Sequence, residues 1–115
     1  MPLIKLHVTV PVTDERRAAL LKTASRVLCE ATGKPEKYSM AFLENGTATM
    51  AGQVVPAAFV DVRGIGGFNK DVNARLSREI CALLQKELKI EPVNVYLNFT
   101  DVAAQNWGWN STTFG

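Results

Sequence analysis

The sequence carries one strand–helix–strand pattern twice, and this repetition constrains the fold more than any other feature. In the first half, residues 3–10 alternate apolar and polar side chains, which is typical of a strand with one buried face. Thr13 and the acids after it predict the start of an amphipathic helix, and Gly33 predicts its end. Residues 38–44 are the second predicted strand. This half of the chain therefore contains one complete β-α-β unit.

The second half follows the same plan. Residues 58–63 alternate, residues 72–84 carry apolar side chains at helical spacing, and residues 93–99 alternate again, with Val93 on the apolar face. Pro35 and Pro92 precede the second strand of each unit. Because a crossover through a helix is long, the two strands of each unit should be parallel. We predict an α/β (α+β) fold in one domain, residues 1–115, with two β-α-β units forming a four-stranded mixed sheet and two helices on one face.

Two helices cover only one face of such a sheet, so the other face needs water or a partner. We interpret the charged side chains there as solvated, whereas Tyr96 and Asn98 suit contacts across an interface or with a ligand. A chain of 115 residues buries a limited share of its surface, so oligomerisation would supplement its core. The polar residues predicted on this face are Lys5, His7, Asp61, Arg63, Asn94, Tyr96 and Asn98.

The composition argues against several classes of protein. Hydrophobic residues make up 47% of the chain and charged residues 21%, which is typical of a soluble globular domain. The formal net charge of +2 is small, and Lys and Arg are spread along the chain, so we expect no nucleic-acid partner. No long apolar run is present, so we expect no signal peptide and no membrane span. The expected location is the cytoplasm.

The two cysteines give no sign of a redox or metal site. Cys29 and Cys81 fall in the two predicted helices, without metal-ligand or Cys-x-x-Cys spacing. We interpret both as small buried hydrophobic residues. No metal and no cofactor are expected.

Both ends of the chain carry candidate functional residues. Removal of Met1 would leave a secondary amine on Pro2, which is a potential catalytic base, although proline is also an ordinary first residue of a strand. Near the other end, Trp107, Trp109 and Phe114 place three aromatic rings in the last nine residues. These rings either cover a hydrophobic edge or form one wall of a pocket.

Five segments, in order, resemble the macrophage migration inhibitory factor family of the tautomerase superfamily. The resemblance extends over the whole chain and implies a homotrimer, in which three sheets surround a central channel and each active site lies at a subunit boundary. The matching segments are Met1-Pro2, Ala31-Thr32-Gly33-Lys34-Pro35, Ile65-Gly66, Val95-Tyr96-Leu97-Asn98 and Asn106-Trp107-Gly108-Trp109-Asn110-Ser111-Thr112.

The resemblance also implies the chemistry and a role for each residue. Pro2 would be the general base of a keto–enol tautomerase acting on phenylpyruvate-like or dopachrome-like substrates. Lys34 would bind the substrate carboxylate and lower the pKa of the Pro2 amine. The backbone N–H of Ile65 would donate to a substrate oxygen. Two further groups are implied: Tyr96 and Asn98 from the neighbouring subunit, and Tyr38, Trp109 and Phe114 in the pocket wall.

The chain departs from the animal cytokine at several positions. Gly64 replaces a common serine, which removes a hydroxyl from the pocket rim. Ala57 and Val60 replace its Cys-x-x-Cys, so a thiol-oxidoreductase role has no residues to carry it. Trp107 replaces a smaller apolar residue, and its bulk would restrict larger substrates.

Two alternatives to a tautomerase remain open. One is a secreted, cytokine-like binding protein whose catalysis is incidental, with a host receptor as partner only if the source organism is a parasite. The other is a dehalogenase or decarboxylase of the same superfamily. That chemistry would be expected to need additional acid or arginine groups near the base, and none stands out at the matched positions.

Overall fold

The computed structural model describes all residues from 1 to 115 and contains two long helices and one main sheet. Short 3-10 turns precede β2 and β4, and a small two-stranded hairpin lies near the C-terminus. The elements are β1 (Leu3–Val8), α1 (Asp14–Thr32), β2 (Met40–Asn45), β3 (Ala58–Gly64), α2 (Lys70–Leu88), β4 (Val95–Asp101), β5 (Gly108–Trp109) and β6 (Thr112–Thr113).

The main sheet has the strand order β2-β1-β3-β4. Strands β1 and β2 are parallel, as are β3 and β4, and the two units meet through the antiparallel pair of β1 and β3. Leu3 pairs with Met40 and Ala58 pairs with Val95, so the partner lies 37 positions later in both units. The predicted mixed sheet of two β-α-β units is therefore confirmed, and the structure adds that the two units have the same register.

Two predicted strand starts were wrong, and proline is the reason in both. The second strand begins at Met40 rather than Tyr38, and the fourth begins at Val95 rather than Val93. In each unit a three-residue 3-10 turn lies ahead of the strand, and a proline, whose φ is fixed, lies at its beginning: Pro35 just before the first turn and Pro92 as the first residue of the second. Val93 lies in such a turn and is 76% exposed, so its predicted inward position was also wrong. The first strand ends two residues earlier than predicted.

Both helices pack on one face of the sheet. Alternate side chains of the two central strands are buried beneath the helices, as the period of two requires. Cys29 is buried in α1 and Cys81 is half-buried in α2, and both are free thiols. Neither helix is long and apolar enough to cross a membrane. The completely buried core includes Ile4, Leu6, Val60 and Val62 from the sheet, Ala24 and Leu28 from α1, and Leu76, Ile80 and Leu84 from α2.

The other face of the sheet is open in the single chain and mixes charged with large apolar side chains. Met40, Phe42, Phe59 and Tyr96 are between 45% and 65% exposed. Among the charged residues of this face, the side chain of Asp61 is only 13% exposed and binds Arg63, so our interpretation of it as solvated was wrong. The face therefore offers more apolar surface than the sequence pattern indicated.

The end of α1 fixes where the next residues go. Gly33 has a φ of 72°, in the left-handed region, and the N–H groups of Gly33 and Lys34 both donate to the carbonyl of Cys29. This is the predicted glycine end of a helix, and it turns the chain at Lys34. At the start of α1, the hydroxyl of Thr13 accepts from the N–H of Arg16, as predicted.

We expect Gly33→Ala to lower the free energy of unfolding by about 1–2 kcal/mol, since a β-carbon is disfavoured at this left-handed φ. Gly46→Ala is the matched control. An added Cβ meets no atom within 4 Å at either position, but only Gly33 has a positive φ. Urea unfolding at a fixed protein concentration measures both changes. Equal effects of the two substitutions would contradict the assignment of the cost to backbone conformation.

Candidate active site

A cleft with a volume of about 570 Å³ opens at the end of the sheet where β1 and β2 begin and β3 and β4 end. The start of the chain forms its floor, and the C-terminal hairpin faces it. The residues that line it are Met1, Pro2, Leu3, Lys37, Tyr38, Ser39, Met40, Arg63, Val102, Asn106, Trp107, Gly108, Trp109 and Phe114.

Pro2 is held rigidly at this cleft. It is completely buried, and its carbonyl accepts from the N–H of Met40 at 3.0 Å, so β2 anchors the residue just before β1 begins. With Met1 attached, the Pro2 nitrogen is a tertiary amide and has no basic lone pair. Met1 is half-buried and also lines the cleft, so the chain's amino group lies at the site.

The surroundings lower the pKa of the terminal amine, which in this structure is the amino group of Met1. Burial is the larger cause, because it disfavours the charged form, and the nearby Lys34 ammonium acts in the same direction. The thiol of Cys29 acts weakly in the opposite direction. The Met1 amine therefore loses its proton at a lower pH than an amine in water.

Lys34 lies against the loop that follows β3. Its Nζ donates to the carbonyl of Ile65, and its Cε lies 2.9 Å from where a β-carbon on Gly67 would stand. Glycine at 67 therefore leaves space for the Lys34 side chain. Lys34 and Ile65 contact each other beside the cleft and do not line it. The charge of Lys34 nevertheless lowers the pKa of the Met1 amine, which lies at the cleft.

The three predicted wall residues form one aromatic cluster. The ring centroids of Tyr38 lie 5.4 Å from Trp109 and 5.9 Å from Phe114, both edge to face, while Trp109 and Phe114 stack at 5.5 Å. The turn of the hairpin has positive φ at Asn110 and Ser111, as a two-residue hairpin requires. The C-terminal aromatic residues therefore form a wall of the cleft that contains Pro2.

Tyr96 and Asn98 lie elsewhere in the single chain. Both point to the open face from β4, and neither lines the cleft. Tyr96 lines a separate cavity of about 380 Å³ near His7 and Phe59. Asn98 accepts a hydrogen bond from the hydroxyl of Thr100 at 3.3 Å. One chain thus brings Pro2 together with the aromatic wall but not with these two residues.

Two cations at the cleft were not among the predicted site residues. Arg63 donates to the carboxylate of Asp61 at 2.9 Å, and this hydrogen bond raises the pKa of its guanidinium. Lys37 places its Nζ 5.2 Å from the ring centre of Tyr38. No acidic side chain lines the cleft. Only the antiparallel register, which pairs Arg63 with Leu3, reveals that Arg63 lies beside Pro2.

The chain was compared with known protein families, with individual relatives and with solved structures. The whole chain, residues 1–115, matches the family profile described as macrophage migration inhibitory factor. The chain belongs to this family. A macrophage migration inhibitory factor homolog from Brugia malayi is 33% identical, with all of both chains covered. The resemblance stated from the sequence is therefore confirmed.

Solved structures of the family share the fold closely. The homologue from Prochlorococcus marinus has a TM-score of 0.93 at 36% identity, covering 98% of this chain and 99% of that one. The macrophage migration inhibitory factor-like protein of Entamoeba histolytica has a TM-score of 0.94 at 31% identity, covering 98% of each. A more distant structure, described as Pt0534 inactivated by 2-oxo-3-pentynoate, has a TM-score of 0.84 at 19% identity over 96% and 94% of the two chains, and shows the shared fold alone.

We expect Lys34→Ala to raise the pKa of the terminal amine, because a nearby positive charge is lost, but not to its ordinary value, because burial remains. Lys37→Ala is the control, since Lys37 lines the cleft but does not shift this pKa. The pH dependence of acylation of the amine, located by peptide mapping, measures both. The same pKa in both variants would contradict the role of Lys34.

Proposed function

We propose that this protein is a keto–enol tautomerase of phenylpyruvate-like 2-keto acids, with the Pro2 amine as general base once Met1 is removed. One observation carries the proposal: Pro2 lies buried in a cleft with an aromatic wall and cationic side chains but no lining carboxylate. Such a cleft suits an aromatic anion. Its apolar surroundings also favour the neutral form of an amine, which is the form that accepts a proton.

In the proposed reaction a proton moves from carbon to oxygen within the substrate. The Pro2 nitrogen takes the proton from C3 of the keto acid, and the electron pair of that C–H bond forms the enolate. The Ile65 N–H donates to a substrate oxygen and stabilises the developing charge. The protonated amine then returns its proton to the enolate oxygen, which regenerates the base. No cofactor and no metal take part.

Two groups of side chains would bind the substrate: cations bind its carboxylate, and aromatic residues bind its ring. Lys34 and Arg63 supply cations for the carboxylate, and because Nε and Nη2 of Arg63 already donate to Asp61, its Nη1 would donate to the substrate. Tyr38, Trp109 and Phe114 supply the stacking surface for the aromatic ring. Dopachrome-like compounds combine the same two features, a ring and a carboxylate, so the same groups would hold them.

We further propose that the protein is a homotrimer in which the open sheet face is an interface. The exposed apolar side chains on that face favour a protein partner over water. In this assembly Tyr96 and Asn98 of one subunit complete the site of its neighbour. We propose the cytoplasm as its location.

The names of the relatives favour a second candidate. They describe a factor that inhibits macrophage migration, which supports a cytokine-like binding protein. Its partner would be a host receptor if the source organism is a parasite. Receptor binding that survives Pro2→Gly, in a variant without turnover, would separate this function from catalysis.

We expect phenylpyruvate turnover to scale with the fraction of chains that lack Met1, because only a free Pro2 amine has a basic lone pair. Pro2→Gly should lose roughly 10²-fold or more in kcat/KM, since a primary amine replaces the constrained ring nitrogen. Steady-state assays on samples of known intact mass measure this. Equal turnover by fully processed and fully Met1-retaining samples would reject Pro2 as the base.

A covalent probe gives an independent control. The reagent 2-oxo-3-pentynoate is a 2-keto acid with an electrophilic triple bond, to which a neutral amine adds without loss of any atom. We expect one adduct of the full reagent mass, on Pro2, in processed chains. An adduct confined to lysine side chains would argue against an activated Pro2.

We expect light scattering at micromolar concentration to give three times the mass of one chain. Phe59→Glu should shift the protein towards the monomer, because Phe59 lies 45% exposed on the open face and a buried carboxylate there is costly. Lys22→Glu, at an exposed position of α1, is the control. A monomer in the parent protein would remove the shared site from the proposal.

A further inference from the structure

One peptide group beside the cleft is bound between two opposite charges. The N–H of Gly66 donates to Oδ1 of Asp101 at 2.8 Å, and the carbonyl of Ile65 accepts from the Lys34 ammonium. This N–H and this carbonyl belong to the same peptide bond. Hydrogen bonds with a charged partner are stronger than those between neutral groups. The orientation of the Ile65–Gly66 peptide is therefore set by Asp101 on one side and Lys34 on the other.

The Gly64–Ile65 peptide, which precedes it, is also bound by the end of β4. The carbonyl of Gly64 accepts from the N–H of Val102 at 2.7 Å. Asp101 is the last residue of β4 and Val102 follows it, so the end of β4 binds both peptide groups that flank Ile65. The loop needs such contacts because Gly66 and Gly67 have φ values of 70° and 89°, and glycine has many alternatives to one conformation.

These contacts fix the direction of the Ile65 backbone. The chain has no cis peptide bond, and the N–H and carbonyl of a trans peptide point in opposite directions. The Ile65 N–H therefore points away from Val102, and the Ile65 carbonyl points away from Asp101. Both groups of Ile65, together with the Lys34 ammonium bound to its carbonyl, lie on the side of the loop opposite to the end of β4.

We propose that Asp101 is a positioning residue of the site, whose carboxylate holds the Ile65–Gly66 peptide so that the Ile65 N–H and the Lys34 ammonium face the substrate together. This inference rests on the proposed function, in which those two groups bind substrate oxygens. Asp101 itself does not line the cleft and acts only through the loop. Without its carboxylate the peptide is free to rotate, and both donors lose their alignment.

The kinetic test compares Asp101→Ala and Asp101→Asn in protein without Met1. We expect KM for phenylpyruvate to rise roughly tenfold in Asp101→Ala, with a smaller change in kcat, because a charge-assisted hydrogen bond that positions two binding groups is lost. Asp101→Asn keeps an acceptor oxygen and should recover part of the loss. Asp71→Ala is the control, since the Asp71 carboxylate is exposed and makes no ion pair.

Two further readouts do not depend on activity. The amide proton of Gly66 should exchange faster with solvent in Asp101→Ala. In chains that retain Met1, the pKa of the Met1 amine should move towards its value in Lys34→Ala, because Lys34 is no longer held in place. Lys34 and Cys29 act on this amine, and the other ionisable side chains that line the cleft are Lys37, Tyr38 and Arg63, so Lys37→Ala serves as the reference for an unrelated cation.

The outcomes separate the two proposals. A folded Asp101→Ala variant with the parent's KM, or with the parent's Gly66 exchange and amine titration, would overturn the positioning role. If Asp101→Ala does not fold, Asp101→Asn supports the same comparisons at nearly unchanged volume. A processed parent that does not turn over phenylpyruvate, while Asp101→Ala changes both exchange and titration, would reject the tautomerase but keep the role of Asp101 in holding the loop.

Discussion

The site depends on the central position of β1 in the sheet. Because β1 pairs with β2 on one side and β3 on the other, the first residues of the chain cannot be a free tail. Pro2 is buried where this strand begins, and its carbonyl is bound by the start of β2. The antiparallel register with β3 then brings Arg63, and the loop after β3 that contains Gly66 and Gly67, to the same end of the sheet. Pro2, although it is the second residue of the chain, is therefore as buried and as fixed in position as a residue of the core.

The electrostatics of the site follow from that placement. Burial and Lys34 both lower the pKa of the Met1 amine. This amine therefore becomes neutral at a lower pH than an amine in water. Lys34 is held by the Ile65 carbonyl, and the same peptide is held by Asp101. The Ile65–Gly66 peptide thus binds Lys34, whose charge lowers the pKa of the amine, and also Asp101 at the end of β4.

The sequence was sufficient for the fold and for naming the aromatic residues that line one wall of the cleft. Alternation and helical spacing predicted the two units, and the aromatic residues at the C-terminus lie in the same cleft as Pro2. The start of β4 was misplaced because a proline turn carries Val93, which has the same side-chain character as a strand residue. Arg63, which lines the cleft, and Asp101, which binds the loop after β3, were not singled out from the sequence, because their positions depend on strand register, which no local pattern encodes. Tyr96 and Asn98 remain a prediction, since they meet Pro2 only if a second subunit provides them.

The most direct measurement is hydrogen exchange at C3 of phenylpyruvate in D₂O, followed by proton NMR. It reports removal of the carbon-bound proton itself, before any product is released. We expect processed protein to accelerate loss of the C3 signal far above the buffer rate, and chains with an additional residue ahead of Pro2 not to do so. Equal acceleration by processed and blocked chains would show that the Pro2 amine is not the base.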